Sequence, residues 1–505
     1  MFENLYIGFS VLFSNPLALL YALIGVVLGV FIGILPGIGP SAGIALLIPI
    51  TYGMPPVNGI VMMAGMYYGA QYGGSVTSIL INVPGESSSI MATLDGYPMA
   101  VQGKAGKALG MAAYASVISG TISVIAFMYV APFIASFAVS FGPAEYLALM
   151  LLGLVSVAGL TGKSPAKGYL SAFLGLFIAT IGLDVVTGAP RYAFGVPQLF
   201  GGVDFLPVVT GVFGITEIIC SADEQTESSV TLKNGESLKF KNLFPNKQDW
   251  KDCAPHLARG SVLGFILGML PGTGATIASF LSYDMAKRTS KKKELFGTGI
   301  IEGVAAPECA NSAASIGAMI PMFTLGIPGS GTTAVMLGAL MMFGITPGPS
   351  FFANNADVAW GLIASMYLGN VFILILGVFG LPLFVKLLDV KLPILNALVM
   401  SLILIGSFSL NNSMFDVGIT IFFGALGYVL RKFEVPPAPM VLALVLGPLA
   451  EKSLRLAMII ADGNVVTIIS KPIVSGILVV VLGMALNAPI KKAIRKVFFG
   501  KKATA

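Results

Sequence analysis

Apolar positions run in long blocks along this chain, near 17–34, 59–80, 108–138, 145–160, 168–187, 203–220, 259–283, 300–343, 358–386, 393–410, 414–430 and 464–486. A bilayer crossing takes ~20 apolar residues. Several blocks are too long for one crossing or too short for a simple one, so about 10 to 14 membrane segments are expected. Only one long polar segment interrupts them, roughly 221–258, in which six acids and five lysines nearly cancel. It is too short to bury a core of its own, since chains below ~40 residues need outside help, and it reads as a connector between two halves.

Within the blocks glycine recurs at every fourth position and a Pro-Gly-x-Gly follows. This happens twice, at Gly25, Gly29, Gly33, Pro36, Gly37, Gly39 and at Gly260, Gly264, Gly268, Pro271, Gly272, Gly274, with a constant offset of 235 residues. Glycines at i, i+4 and i+8 line one helix face and let another backbone come close. Leu35-Pro36-Gly37 and Leu270-Pro271-Gly272 then remove a donor and free the backbone, which breaks the helix. Breaks at membrane depth are tolerated only against protein or a water-filled cavity, and paired breaks in corresponding halves point to a transporter site.

A second pair of signals, Asn82-Val83-Pro84-Gly85-Glu86-Ser87-Ser88-Ser89 and Gly326-Ile327-Pro328-Gly329-Ser330-Gly331-Thr332-Thr333, is offset by 244 residues. The turn at 51–58 is uncharged where its counterpart at 284–299 is basic, while Lys104 and Lys107 answer a segment, 344–357, without basic residues. Corresponding loops on opposite sides of the membrane, an inverted repeat, would give that alternation. The expected organisation is a first transmembrane repeat over 1–220, the connector over 221–258, a second repeat over 259–490 and a basic tail over 491–505. The expected fold is all-α and polytopic, with two inverted repeats carrying broken helices or re-entrant hairpins.

Composition agrees: of 505 residues 56% are hydrophobic and 10% charged, with a mean hydropathy of +0.90, far from the roughly one-quarter charged residues of soluble chains. Much of the net charge of +6 sits in the tail, at Lys491, Lys492, Arg495, Lys496, Lys501 and Lys502. The positive-inside rule places this tail, and the loop with Lys287, Arg288, Lys291, Lys292 and Lys293, in the cytoplasm. Beside membrane spans topology explains such runs better than nucleic-acid binding. Near Glu3 there is no basic region of the kind that opens a signal peptide, so no cleaved signal is expected. Cys220, Cys253 and Cys309 are scattered and form no disulfide framework or metal motif. The sole histidine, His256, lies in the connector, leaving no histidine-based transition-metal site or triad in the membrane. Gly162-Lys163-Ser164 ends like a phosphate loop, but Val157 stands where that loop needs glycine. No cofactor is expected, so the driving energy must come from an ion gradient or another subunit.

The candidate chemistry lies at the breaks. Hydroxyl residues directly after each second Pro-Gly can cap helices that start in mid-membrane, and the exposed N–H groups with the positive helix end make an anion site. Two such ends facing each other could hold a di- or tricarboxylate without arginine. The candidate substrate residues are Asn82, Pro84, Gly85, Ser87, Ser88 and Ser89, and Gly329, Ser330, Gly331, Thr332 and Thr333. Helix C-terminal carbonyls at the Leu-Pro-Gly breaks suit Na⁺, which makes Pro36, Gly37, Gly39, Pro271, Gly272 and Gly274 cation candidates. Ionisable groups inside apolar blocks are functional candidates too. Glu86 adjoins the first tip, and Glu308, with Asn311 and Ser312 one turn on, could bind a cation or proton. Glu145, Asp184, Asp204, Glu217, Glu302 and Asp416 sit nearer the block ends and read as interfacial.

At these motifs the chain resembles the large membrane subunit of the tripartite tricarboxylate transporters. The matching residues are Gly33-Ile34-Leu35-Pro36-Gly37-Ile38-Gly39-Pro40, Tyr67-Tyr68-Gly69-Ala70-Gln71-Tyr72-Gly73-Gly74, Asn82 to Ser87, Pro307-Glu308-Cys309-Ala310-Asn311-Ser312 and Gly326 to Gly331. The likeness runs from about residue 17 to 490. It implies uptake of citrate or related carboxylates across the bacterial inner membrane, with a periplasmic solute-binding protein, a small membrane subunit and a cation gradient, usually Na⁺. The family is also similar in outline to other two-hairpin organic-anion transporters, so an elevator motion is an expectation by analogy. The alternatives are a stand-alone carboxylate carrier and an intramembrane enzyme acting through Glu308 and Cys309. The second lacks a membrane histidine and any paired catalytic carboxylates, and no enzyme activity is expected.

Overall fold

The computed structural model describes residues 2–35, 39–160, 164–184, 187–223, 243–272, 274–380 and 392–484. Its helices are α1 (Phe2–Ser14), α2 (Pro16–Ile34), α3 (Gly39–Thr51), α4 (Pro56–Ile81), α5 (Ile90–Val101), α6 (Ala105–Ala138), α7 (Pro143–Leu160), α8 (Pro165–Ala179), α9 (Phe205–Asp223), α10 (Lys247–Met269), α11 (Gly274–Thr289), α12 (Glu302–Gly317), α13 (Met319–Leu325), α14 (Gly331–Met342), α15 (Phe351–Asn354), α16 (Ala356–Phe379), α17 (Leu392–Asn411), α18 (Met414–Lys432), α19 (Ala438–Ile460), α20 (Val465–Ile469) and α21 (Pro472–Met484). The strand pair found among the described residues is short and antiparallel, Gly182–Leu183 against Pro190–Arg191. Five helices, α2, α6, α9, α16 and α18, are long and apolar enough to cross a membrane, and six shorter apolar ones accompany them. The chain is an all-α polytopic membrane protein.

Of the expected connector, residues 224–242 lie outside the described residues, as do Lys163 and the tail 491–505. From Lys247 onward it is already α10, opened by a capping box between Asn246 and Asp249.

The chain forms two compact units, one from residues 1–136 and 204–429, the other from 137–203 and 430–505. In the second, α7 and α8 both pack on α19, and α8 comes so close that a Cβ on Gly175 would lie 2.0 Å from the Met440 carbonyl oxygen. Arg191 donates a two-pronged pair of hydrogen bonds to Glu451 at 3.0 and 3.4 Å, and Arg455 bridges Glu451 and Asp184.

In the first unit, α4 is buried from Asn58 to Leu80 and α12 along its whole length. α2 lies on α4 and α10 on α12. Cβ atoms on Gly25, Gly29 and Gly33 would fall 2.1, 2.4 and 2.2 Å from the carbonyl oxygens of Met62, Met66 and Ala70. On Gly264 and Gly268 they would fall 2.4 and 2.3 Å from those of Ala310 and Ala314, and on Gly260 3.1 Å from that of Ala306. Each second-half partner is the first-half partner moved by 244 residues. Backbone packs on backbone here, the contact that drives helix association where lipid is as apolar as leucine.

The loops of this unit fall into two groups. Lys107 pairs with Asp249 at 2.8 Å, Lys292 pairs with Asp252, and the Gln102 amide donates to the Thr298 carbonyl at 2.8 Å. The uncharged 51–58 turn lies with other segments: Asn58 accepts from Asn15 at 2.8 Å, and the Phe343 ring lies against Gly59.

Candidate functional site

Both helix breaks are present in the first unit. Leu35 and Leu270 end α2 and α10 in extended conformation, each with its N–H on a carbonyl three residues back at 3.1 Å. α3 and α11 then start at Gly39 and Gly274, at φ 62° and 60°, a left-handed geometry that glycine adopts without steric cost. Pro36 and Gly37 lie outside the described residues, while Pro271 and Gly272 form the turn of the second break.

The two Pro-Gly tips are built alike. α4 ends at Asn82 and α13 at Gly326, both left-handed at φ 58° and 71°. Each tip then carries a capping box, Glu86 with Ser89 and Ser330 with Thr333, which satisfies the free N–H groups of the helix that follows. Gly85 sits under the first break, where a Cβ would meet the Gly33 oxygen at 2.1 Å and the Gly74 Cα at 2.6 Å. Gly329 sits under the second, where the nearest atom, the Gly268 oxygen, would be at 3.0 Å, and its carbonyl accepts from the Gly272 N–H at 3.0 Å.

Each tip touches the broken helix of the other half. Ser41, in the first turn of α3, and Thr332, in the first turn of α14, have their hydroxyls 3.0 Å apart. Ser87, at the first tip, and Thr276, in the first turn of α11, repeat that contact at 3.0 Å. Two helix N-termini therefore meet at each place, lined by hydroxyls. Ser41 and Thr276 were not among the candidates. The signal was there, since both follow Gly-x-Gly by two residues, but only folding shows that they face the tips. Gly39 and Gly274, cation candidates by sequence, begin these same helices and present N-termini.

Beside the tips, polar groups converge on one turn of α4. Ser88 donates to Gln71 at 3.0 Å and to Glu86. Glu308 accepts from Ser75 and, at 2.7 Å, from Ser116 of α6, whose carbonyl takes the Ser312 hydroxyl at 3.1 Å. The Asn311 side chain is 1% exposed; its nitrogen faces Glu86, and among the described residues neither its oxygen nor the Tyr72 hydroxyl finds a hydrogen-bond partner.

Asp95 was also missed. It is wholly buried in α5, and its carboxylate accepts from the N–H groups of Gly297, Gly299 and Ile300 at 2.8–3.0 Å and from the Tyr283 hydroxyl at 2.8 Å. An acid in the run Ile90–Val101 was its sequence signal. His256 lies 3.6 Å from Glu302. Among the described residues no group of three or more metal-ligating side chains forms.

The profile of the Tripartite tricarboxylate transporter TctA family matches residues 19–442. The chain belongs to that family. As a family member it is the large subunit of a tripartite tricarboxylate transporter, a multi-pass membrane protein of a transporter family. It is similar to two proteins from Agrobacterium vitis. One, "Uncharacterized 52.8 kDa protein in TAR-I ttuC' 3'region", is 42% identical over 501 residues, 99% of each chain. The other, "Uncharacterized protein in TAR-II ttuC' 3'region", is 44% identical over 215 residues, 43% of this chain and 89% of that one. No solved structure matches.

Proposed function

We propose that this TctA-family subunit imports small carboxylates across the bacterial inner membrane, drawing on a cation gradient. A periplasmic solute-binding protein would deliver the substrate, and a small membrane subunit would complete the complex. The observation that carries the reading is the reciprocal pair of hydroxyl contacts, Ser41 with Thr332 and Ser87 with Thr276. Four helix N-termini meet there in two pairs, and such ends favour anions without a fixed positive side chain. The substrate would lie against Asn82 to Ser89 and Gly329 to Thr333, with the cation near the two breaks and Glu308, Asn311 and Ser312.

The grouping of loops supports two inverted repeats. Segments 102–107 and 292–298 lie together, while Gly59, directly after 51–58, lies against Phe343, directly before 344–357. Each loop thus sits beside a loop of the other half that is not its counterpart, as an inverted pair requires. By the same reasoning the basic tail is cytoplasmic.

The test is uptake of labelled citrate and a panel of other carboxylates into proteoliposomes with an imposed Na⁺ gradient. The chain is assayed alone, with the small subunit, and with candidate binding proteins. Uptake that needs both partners and Na⁺ supports the reading. Uptake by the chain alone makes it a stand-alone carrier, and no uptake of any carboxylate by the folded complex overturns it.

A further inference from the structure

Glu86 and Glu308 reach one turn of α4 from two different elements. Glu86 comes from the first tip, where its Cγ lies 3.0 Å from the place a Gly74 Cβ would take and its carboxylate receives Ser88, itself bonded to Gln71. Glu308 comes from α12 and receives Ser75, the residue after Gly74. The two carboxyls are thus within electrostatic reach of each other. The other titratable groups facing them are Tyr67 and Tyr72 of α4 and Cys309 of α12, and none of these carries positive charge. No lysine, arginine or histidine is among the partners found for either acid.

Two carboxylates without a counter-ion, Glu308 buried and Glu86 half-buried, repel each other and repel any anion brought beside them. The Asn311 amide, one turn after Glu308 on the same face of α12 and with its nitrogen within reach of Glu86, supplies a further oxygen that no donor among the described residues satisfies. The Tyr72 hydroxyl, also without a partner among the described residues, lies within electrostatic reach of Glu308. Oxygen ligands of this kind suit a hard monovalent cation, and a proton shared by two acids answers the same excess of charge.

We propose that Glu86, Glu308 and Asn311 form one site for a monovalent cation, Na⁺ or a proton, that must be filled before an anionic substrate can enter between the helix N-termini. The inference rests on the carboxylate-import reading and names what orders its steps. Filling the site takes the carboxylate pair from two negative charges to one, which weakens its repulsion of an anion brought beside the tips. With it empty the anion is excluded, so the return step runs without substrate, and the cation gradient drives net uptake.

The first arm of the test needs no substrate. Infrared difference spectra of the purified full chain are recorded in lipid nanodiscs across pH, with and without NaCl, for wild type, Glu86→Gln, Glu308→Gln and Asn311→Leu. A protonated-carboxyl band that Na⁺ moves to lower pH by at least tenfold in proton concentration, and that both glutamine variants abolish, supports Na⁺. In that case Asn311→Leu weakens the Na⁺ effect. The same band without a Na⁺ effect, lost in both variants, supports the proton. A spectrum unchanged in folded glutamine variants overturns the pair.

The second arm compares gradient-driven accumulation with carboxylate exchange at equal concentrations. Accumulation falling at least tenfold more than exchange in both glutamine variants supports the ordering, and equal losses overturn it. Absence of carboxylate transport by wild type overturns the import reading instead, while the infrared arm still decides whether the pair binds a cation.

Discussion

The two halves of the first unit repeat several backbone features and differ in chemistry. Break meets break, left-handed cap meets left-handed cap, and glycine meets carbonyl at matching places. The ionisable groups do not match: Glu86 answers Ser330, Glu308 answers Ala64, and Asp95 answers Ala339 under the same 244-residue offset. On the proposed reading, the repeated signals form a pair of facing frames, and Glu86, Glu308 and Asp95 are departures from symmetry laid on them. For the proposed import, a site between two such halves need not be symmetric, because a cation and an anion ask for opposite things.

Five substitutions break or sharpen this comparison. The largest effect is expected for Gly85→Ala, where the added methyl meets backbone on two sides. A loss of about 3 kcal/mol in stability and of nearly all uptake should follow, while Gly329→Ala, with 3.0 Å of room, should cost about 1 kcal/mol. Thermal unfolding and uptake per molecule in the membrane measure both, and equal costs would show that the two tips are not differently packed. Next, Asp95→Asn should remove about 2 kcal/mol, since hydrogen bonds to a charged group are the stronger kind. Hydrogen exchange should quicken at 297–300 and not around Ala339, which has no such clamp. Glu86→Ser copies the second tip onto the first. The capping hydroxyl survives, so melting should move by less than ~1 kcal/mol, and a larger loss would mean that Glu86 holds the tip by charge. The smallest effect is expected for Asn82→Gly, within ~0.5 kcal/mol, because both residues accept the left-handed cap that Gly326 already fills.

Much of this frame was legible in the sequence because its signals are local. A glycine every fourth residue, a proline-glycine break and a hydroxyl after it each act within one or two turns. What was not legible depends on residues far apart in the chain. Ser41 and Thr276 have no meaning until α3 and α11 are placed against the opposite tips, and Ser116 is an ordinary helix serine until Glu308 reaches it. Asp95 was within reach of sequence reasoning, as an acid in an apolar run, but its partners are three backbone N–H groups of a loop about two hundred residues away, and no residue type advertises those.

The glycine seams carry a consequence for time. Where side chains interdigitate, neighbouring helices can slide as rotamers hop over picoseconds to nanoseconds. Gly25, Gly29 and Gly33 offer no rotamers, and their contacts are with carbonyl oxygens that cannot turn aside. α2 and α4 therefore have no fast internal play and can move only as a single piece. A rearrangement that carried the first tip would move α2 and α4 together, and collective motions of that kind fall on the microsecond-to-millisecond scale, slower than any rotamer hop.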